Sequence, residues 1–314
     1  LHRLIRRQRQ MCIRDRRTPL SYYRSQRRGG KGISGMSTKE NDFVENLFIA
    51  RTHNYILFFS DTGKVYWLKV FRIPEGGRLS KGKAIINLLN ISRDEKITAM
   101  LPIQEFSPDL SIVMTTKYGI IKKSSLISFS RPRSSGIIAI SLDKGDKLVS
   151  SNILSKNQDL FICTLSGKAI RFNESQIREI GRIGRGVKGI RLSPDDYVVG
   201  VDVIDNIRDD NSFILTVTEN GYGKKSKIDN YPRQNRGGKG VITIKTDKRN
   251  GNVVTSLKVK DEDGLILISN KGKIIRIKAK EVRTTGRNTK GVRLIDISKE
   301  EKVASVAKLV EEGV

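Results

Sequence analysis

The sequence predicts an all-β disc of six four-stranded, propeller-like blades. Three observations carry this: a period near 51 residues, a hairpin turn that keeps step with it, and too little room in each period for a helix longer than a turn or two. Short basic glycine loops recur at Gly29-Gly30-Lys31-Gly32, Ser80-Lys81-Gly82-Lys83, Ser134-Ser135-Gly136, Val187-Lys188-Gly189, Gly237-Gly238-Lys239-Gly240 and Thr289-Lys290-Gly291. From the last glycine of each loop to the next (Gly82 and Gly136 in the second and third), the spacings are 50, 54, 53, 51 and 51 residues. A period of this length marks a repeat architecture in which each unit buries its faces against its neighbours.

Within each period the elements follow one order. The hairpin turns are Asp61-Thr62-Gly63-Lys64, Lys117-Tyr118-Gly119, Leu165-Ser166-Gly167-Lys168, Glu219-Asn220-Gly221 and Asn270-Lys271-Gly272-Lys273. They sit between β-branched runs such as Leu265–Ser269 and Ile274–Ile277, with glycine supplying the positive φ that tight hairpins need. The loop glycine follows the turn glycine by 19, 17, 22, 19 and 19 residues. A short apolar stretch comes next (Gly189-Ile190-Arg191-Leu192, Gly291-Val292-Arg293-Leu294), then an acidic turn such as Pro194-Asp195-Asp196, then a Val-rich strand as in Tyr197–Val203 and Lys302–Ala307. A β-sandwich of stacked hairpins and an open solenoid share this local pattern; a closed radial array uses four-stranded units most directly. Counting back from Gly32 places a first hairpin turn near Ile13, where Met11–Arg16 has neither turn glycine nor alternation. Residues 1–16 therefore read as a leader unrelated to the fold, the repeats as 17–310, and 311–314 as a short tail.

Composition narrows the function classes. The 314 residues hold 60 Lys+Arg against 33 Asp+Glu, a net charge of +27, with 37% hydrophobic residues. That apolar fraction supports a core, so the charge belongs to a folded surface whose default partner is a polyanion. The first 17 residues carry seven Arg and one acid, so discounting them leaves +21. Two cysteines, Cys12 and Cys163, and two histidines make no disulfide framework and no zinc set. No apolar run reaches membrane-span length, so a soluble, intracellular protein without a membrane partner is expected.

Motifs that resemble catalytic chemistry are weak. Gly77–Lys83 fits G-x-x-x-x-G-K, but Ala84 stands where a phosphate loop needs Ser or Thr, and Gly184–Gly189 fits G-x-G-x-x-G without a following helix. Asp195-Asp196 and Asp209-Asp210 read as solvated turn acids, His53 as a lone surface or strand residue rather than a base, and Tyr22 and Tyr23 as residues that can stack but more readily pack. No catalytic residue, metal site or cofactor is expected. The basic loops differ, because a repeated position becomes a repeated location. Arg27, Arg28 and Lys31 lie in the first; Arg131 and Arg133 in the third; Arg182, Arg185 and Lys188 in the fourth; Arg233, Arg236 and Lys239 in the fifth; Arg283, Arg287 and Lys290 in the sixth. On a disc they form a curved belt able to neutralise successive phosphates of a duplex and make it bend. With 6% aromatic residues, single-strand stacking is disfavoured.

The first loop, Gln26-Arg27-Arg28-Gly29-Gly30-Lys31-Gly32, with Arg17-Thr18-Pro19-Leu20 and Tyr23-Arg24 before it, resembles the seven-residue box of the DNA gyrase A C-terminal domain. Gln234-Asn235-Arg236-Gly237-Gly238-Lys239-Gly240 is a near copy. The resemblance, covering about 17–310, implies a six-bladed β-pinwheel whose blades exchange a strand, and a rim that wraps duplex DNA so that gyrase can introduce negative supercoils. It implies the remainder of the gyrase A subunit, together with the B subunit, as heterotetramer partners in the bacterial cytoplasm or an organelle. ATP and magnesium would act through other parts of that enzyme. The C-terminal domain of the topoisomerase IV A subunit, with fewer blades and a degraded box, and a propeller scaffold for protein interaction are the alternatives.

Overall fold

The computed structural model describes residues 14–15, 51–75, 83–92, 94–205, 211–271, 273–298 and 300–309. Among these the regular structure is β, with 3-10 turns of three or four residues and no α-helix. Five hairpins repeat: Tyr55–Ser60 with Lys64–Lys69, Ser111–Thr116 with Ile120–Ser125, Gln158–Thr164 with Lys168–Asn173, Phe213–Thr218 with Tyr222–Lys227, and Gly264–Ser269 with Ile274–Lys278. Each first strand also pairs with a longer strand of its own repeat: Ile97–Ile103, Leu148–Leu154, Val198–Asp205, Val253–Val259 and Val303–Leu309. The long strands pack on one another in sequence order, which turns that edge of every sheet toward the centre of the array.

The opposite edge is completed from the following repeat. The two-residue strands Ile137–Ile138, Val187–Lys188, Val241–Ile242 and Val292–Arg293 pair with the second hairpin strand of the blade before their own. Four sheets therefore have four strands, and the last, with no described repeat after it to supply a fourth, has three. The described residues thus form five blades rather than the six expected. The first repeat's residues 16–50 lie outside the described set, including the box Gln26–Gly32, Tyr22 and Tyr23. Arg14–Asp15 is described, and pairs with Lys83–Ala84 as Lys64–Val65 pairs with Ile137–Ile138, the phase of a second hairpin strand.

The blades share a turn chemistry that explains their regularity. In all five, the register between hairpin and long strand slips at the residue before the turn: Ser60, Thr116, Thr164, Thr218 or Ser269, all buried. A hydroxyl there accepts the N–H four residues on, as Thr116 does from Ile120 and Thr164 from Lys168. A carboxylate from the acidic turn then ties the hairpin down. Asp196 accepts from the Ser166 N–H and hydroxyl, Asp146 from the Tyr118 N–H, and Glu95 from Thr62 and the Tyr66 hydroxyl. Asp196 is therefore a half-buried clamp rather than the solvated acid expected, because the turn above it leaves an N–H with no strand partner. Asp195 beside it is exposed, and Asp209-Asp210 lies outside the described residues.

The core lies between blades. Leu57, Phe59 and Val65 of one hairpin meet Ile112, Met114 and Phe129 of the next, and the same layer recurs at Val113, Ile121, Ile162 and Phe172. The edge-on pair Phe161 and Tyr231, 4.9 Å between ring centres, fills the interface after that. Gly63, Gly119, Gly167 and Gly221 each admit the chain of the following repeat: Gly167 has φ +81°, its carbonyl accepts the Thr243 N–H at 2.8 Å, and a Cβ there would lie 2.5 Å from the Ile244 carbonyl oxygen. Gly167→Ala combines left-handed strain with that collision. It should lower unfolding free energy by about 1–3 kcal/mol in urea titration, while Gly181→Ala, with open space around it, should leave the midpoint nearly unchanged.

Candidate nucleic-acid interface

The perimeter loops are built by the way each repeat reaches back to complete its predecessor. In the last three loops the chain first touches the second hairpin strand in parallel, at Lys123 with Glu179, Arg171 with Arg233 and Lys225 with Thr284. It then loops out and returns antiparallel as the two-residue strand. The residue before that strand is Gly136, Gly186, Gly240 or Gly291, each at positive φ. At Gly240 a Cβ would sit 2.5 Å from the Ala169 carbonyl oxygen, so only glycine passes. This corrects the expected phase of the fourth loop. Its equivalent glycine is Gly186, not Gly189, because Val187–Lys188 is already the exchanged strand. Arg182, Arg236 and Arg287 are thereby equivalent, as are Arg185, Lys239 and Lys290.

The loops are joined in series. The N–H groups of Ser141, Arg191 and Lys245, just past one exchanged strand, donate to the carbonyls of Gly184, Gly238 and Thr289 in the next loop. Arg236 donates through Nη1 to the Lys188 carbonyl at 2.6 Å and through Nε to the Gln176 carbonyl at 3.1 Å, and Arg287 through Nη1 to the Ile242 carbonyl at 3.3 Å. These two arginines lash loops together. Three cations are ion-paired: Arg185 with Asp143 at 2.5 Å, Lys290 with Asp247 at 2.6 Å, and Arg233 with Asp159 at 2.7 Å, a buried acid that Arg171 also holds. Arg131, Arg133, Lys188, Lys239 and Arg283 are exposed and Arg182 half-buried, with no ion pair to any described residue. The expected belt is therefore mixed: some cations build the rim and others face outward from it.

Two further lysines belong to the site and are not anticipated by the sequence reading. Lys122 and Lys224 are fully buried, each on the second strand of a hairpin, beneath a loop. Lys224 Nζ donates to the carbonyls of Gly286 and Arg287, both at 2.6 Å; Lys122 Nζ donates to those of Ala139, at 2.7 Å, and Arg182. The next residue of each pairs with an acid, Lys123 with Glu174 and Lys225 with Asp261, and the serine after it donates to the loop carbonyl of Ile180 or Thr285. The sequence signal is Lys-Lys-Ser at 122–124 and again at 224–226, two periods apart. Burial, reinforced by the neighbouring Arg287 charge, lowers the Lys224 ammonium to about 7, and burial with Arg182 lowers Lys122 to about 8. In the blade between them Ile170 takes that place, and Gln176 holds the loop by donating to the Gln234 carbonyl at 3.1 Å.

The nucleotide-like patterns form no site among the described residues. Gly184–Gly189 runs into a two-residue strand, and most of Gly77–Lys83 lies outside the described set. His53 is exposed against the edge of Phe71, and Cys163 is buried, which pushes its thiol up to about 12. No group of three metal-ligating side chains occurs among the described residues, and no described helix is long and apolar enough to cross a membrane.

Comparison with known proteins follows the same repeats. The family model described as DNA gyrase C-terminal domain, beta-propeller, matches 16–51, 54–104, 111–155, 158–205, 212–260 and 265–309. The chain is 42% identical over 293 residues to the DNA gyrase A subunit of Salmonella typhimurium, covering 93% of this chain and 33% of that protein. It is 45% identical over 283 residues to the DNA gyrase A subunit of Helicobacter pylori, covering 90% and 34%. It thus spans about a third of the length of these relatives. Among solved structures, the C-terminal domain of DNA topoisomerase IV superposes with a TM-score of 0.80 at 27% identity, covering 88% of this chain and 85% of that one. The DNA gyrase A C-terminal domain superposes with a TM-score of 0.71 at 28% identity, covering 92% and 94%.

The buried lysines give a signed pH prediction. Lys224 holds its proton less tightly folded than unfolded, so between about 7 and the ordinary 10.5 the unfolded chain binds more protons and stability rises with pH. Lys224→Met removes that rise. The stability difference between wild type and variant should shift in favour of the wild type by on the order of a few kcal/mol across this window, measured by urea titration. A difference independent of pH would contradict a depressed Lys224.

Proposed function

The chain belongs to the DNA gyrase C-terminal domain family, and from that membership and the geometry of its perimeter we propose that it binds duplex DNA and wraps it around its basic rim. The observation that carries this reading is the serial joining of the loops, because it fixes outward-facing cations at repeated intervals along one curved edge. A duplex backbone carries a phosphate at every nucleotide, and each phosphate neutralised by a rim cation releases counterions. The arrangement offers backbone contacts rather than groove-reading elements, so the binding is of low sequence preference and its output is curvature.

In this reading the chain performs no chemistry and carries no cofactor of its own. It serves a gyrase assembled from A and B subunits, whose ATP-dependent strand passage acts on the DNA segment the rim presents, in the cytoplasm. The box Gln26–Gly32 sets how DNA enters the wrap, and Gln234–Gly240 repeats that chemistry in the fifth loop. The six-bladed form belongs to the same proposal: residues 16–51 match the family model as a sixth repeat, and Arg14–Asp15 pairs at the phase of its hairpin. The superposition on topoisomerase IV favours a second reading, a domain of that enzyme's A subunit. Identities of 42% and 45% to gyrase A subunits and the complete Gln26–Gly32 box favour the first.

Ligating nicked circular DNA in the presence of saturating chain at low salt should shift the topoisomer distribution away from that of DNA alone; an unchanged distribution would sink the wrapping proposal. Alanine replacement of Gln26–Gly32 should reduce that shift more than it reduces DNA retention, and equal loss of both would remove the special role of the box. Affinity for linear duplex should fall steeply with salt.

A further inference from the structure

On the reading that the rim holds duplex phosphates, we propose that the residue at the position of Asp143, Ser193 and Asp247 sets how strongly each perimeter loop takes a phosphate, and that Ser193 makes Gln234–Gly240 the strongest of the last three loops. The three positions are equivalent by their hydrogen bonds. Two residues before each, the N–H groups of Ser141, Arg191 and Lys245 donate to the carbonyls of Gly184, Gly238 and Thr289 at 3.3, 2.8 and 2.9 Å. The residue after each of those carbonyls is the loop cation: Arg185, Lys239 and Lys290. Where the position holds aspartate, the cation is taken up, as in Arg185–Asp143 and Lys290–Asp247. Where it holds Ser193 there is no charge to take up Lys239, and the serine hydroxyl instead meets Lys168 Nζ at 3.4 Å.

A carboxylate and a phosphate present the same ligand, an anionic oxygen, to the same ammonium or guanidinium. Asp143 and Asp247 therefore act as internal competitors of DNA, and a phosphate approaching those loops must displace them. At the fifth loop no described carboxylate pairs with Lys239. That loop is also held rigid, because Arg236 is fixed to Gln176 and Lys188 through its N–H and guanidinium and Gly237 donates to the Gly189 carbonyl at 2.7 Å. A rigid loop with an uncommitted lysine loses less on binding than one whose cation must first leave a partner.

The test uses the full 314-residue chain and linear duplex, with affinity measured by fluorescence anisotropy against salt. Asp247→Asn frees Lys290 and Ser193→Asp occupies Lys239. Asp109→Asn and Ser107→Asp, in the turn before Ser111–Thr116 and outside the perimeter loops, make the same charge changes elsewhere. One phosphate contact more or less changes the affinity lost between about 50 and about 200 mM salt by about threefold. Asp247→Asn should deepen that loss and Ser193→Asp reduce it, each beyond its charge-matched control. Variants that match their controls, with the wild type still binding steeply with salt, would overturn this inference and leave the rim reading standing. A wild type that holds no duplex, or holds it with a flat salt response, would overturn both.

Discussion

The perimeter depends on one constraint, that four of the five described blades are each finished by two residues of the repeat after them. The second hairpin strand would otherwise present a row of unpaired backbone groups at the outer edge. Closing it from the next repeat sends the chain outward and back once per blade, and that excursion is the basic loop. The need for close approach explains the glycine before each exchanged strand, and the pull of orphan loop carbonyls explains the buried lysines beneath. Fold and charge distribution are thus consequences of the same pairing rather than separate designs.

The cations divide by what they satisfy. Lys122 and Lys224 give up hydration to hold carbonyls, and Arg236 and Arg287 hold strand ends, so these four are scaffold. Arg185, Arg233 and Lys290 meet carboxylates. The outward group remains: Arg131, Arg133, Lys188, Lys239, Arg283 and half-buried Arg182. A net charge of +27 counts all of these alike. Only the contacts separate a lysine that positions a loop from one that can meet a phosphate.

Much of this is legible in the sequence, and the rest is hidden for physical reasons. The period can be read because the last residue of a three-residue hairpin loop and a close backbone crossing both demand glycine, leaving Gly63, Gly119, Gly167 and Gly221 as markers. The fourth loop is easily misphased because Lys188-Gly189 looks like Lys239-Gly240, while the glycine that must pass the hairpin is Gly186 after an arginine. Asp196 looks like any turn acid, since nothing local reveals a partner 30 residues back at Ser166. Lys-Lys-Ser on a strand reads as a solvated face until a loop from another repeat covers it. Five blades stand where six loops are counted because residues 16–50 lie outside the described set, so Lys83–Ala84, the outer strand supplied by the second repeat, is left with Arg14–Asp15 as its one described partner.

The final sheet carries a wider implication. Its second hairpin strand, Ile274–Lys278, keeps an outer edge that no described strand covers. Because each unit brings the piece that completes its predecessor and leaves an identical vacancy behind, duplication of one 51-residue stretch adds a blade without inventing an interface. Loss of one removes a blade and leaves the same kind of end. Such a chain can change its length in whole units during evolution, and with it the arc of its cationic edge.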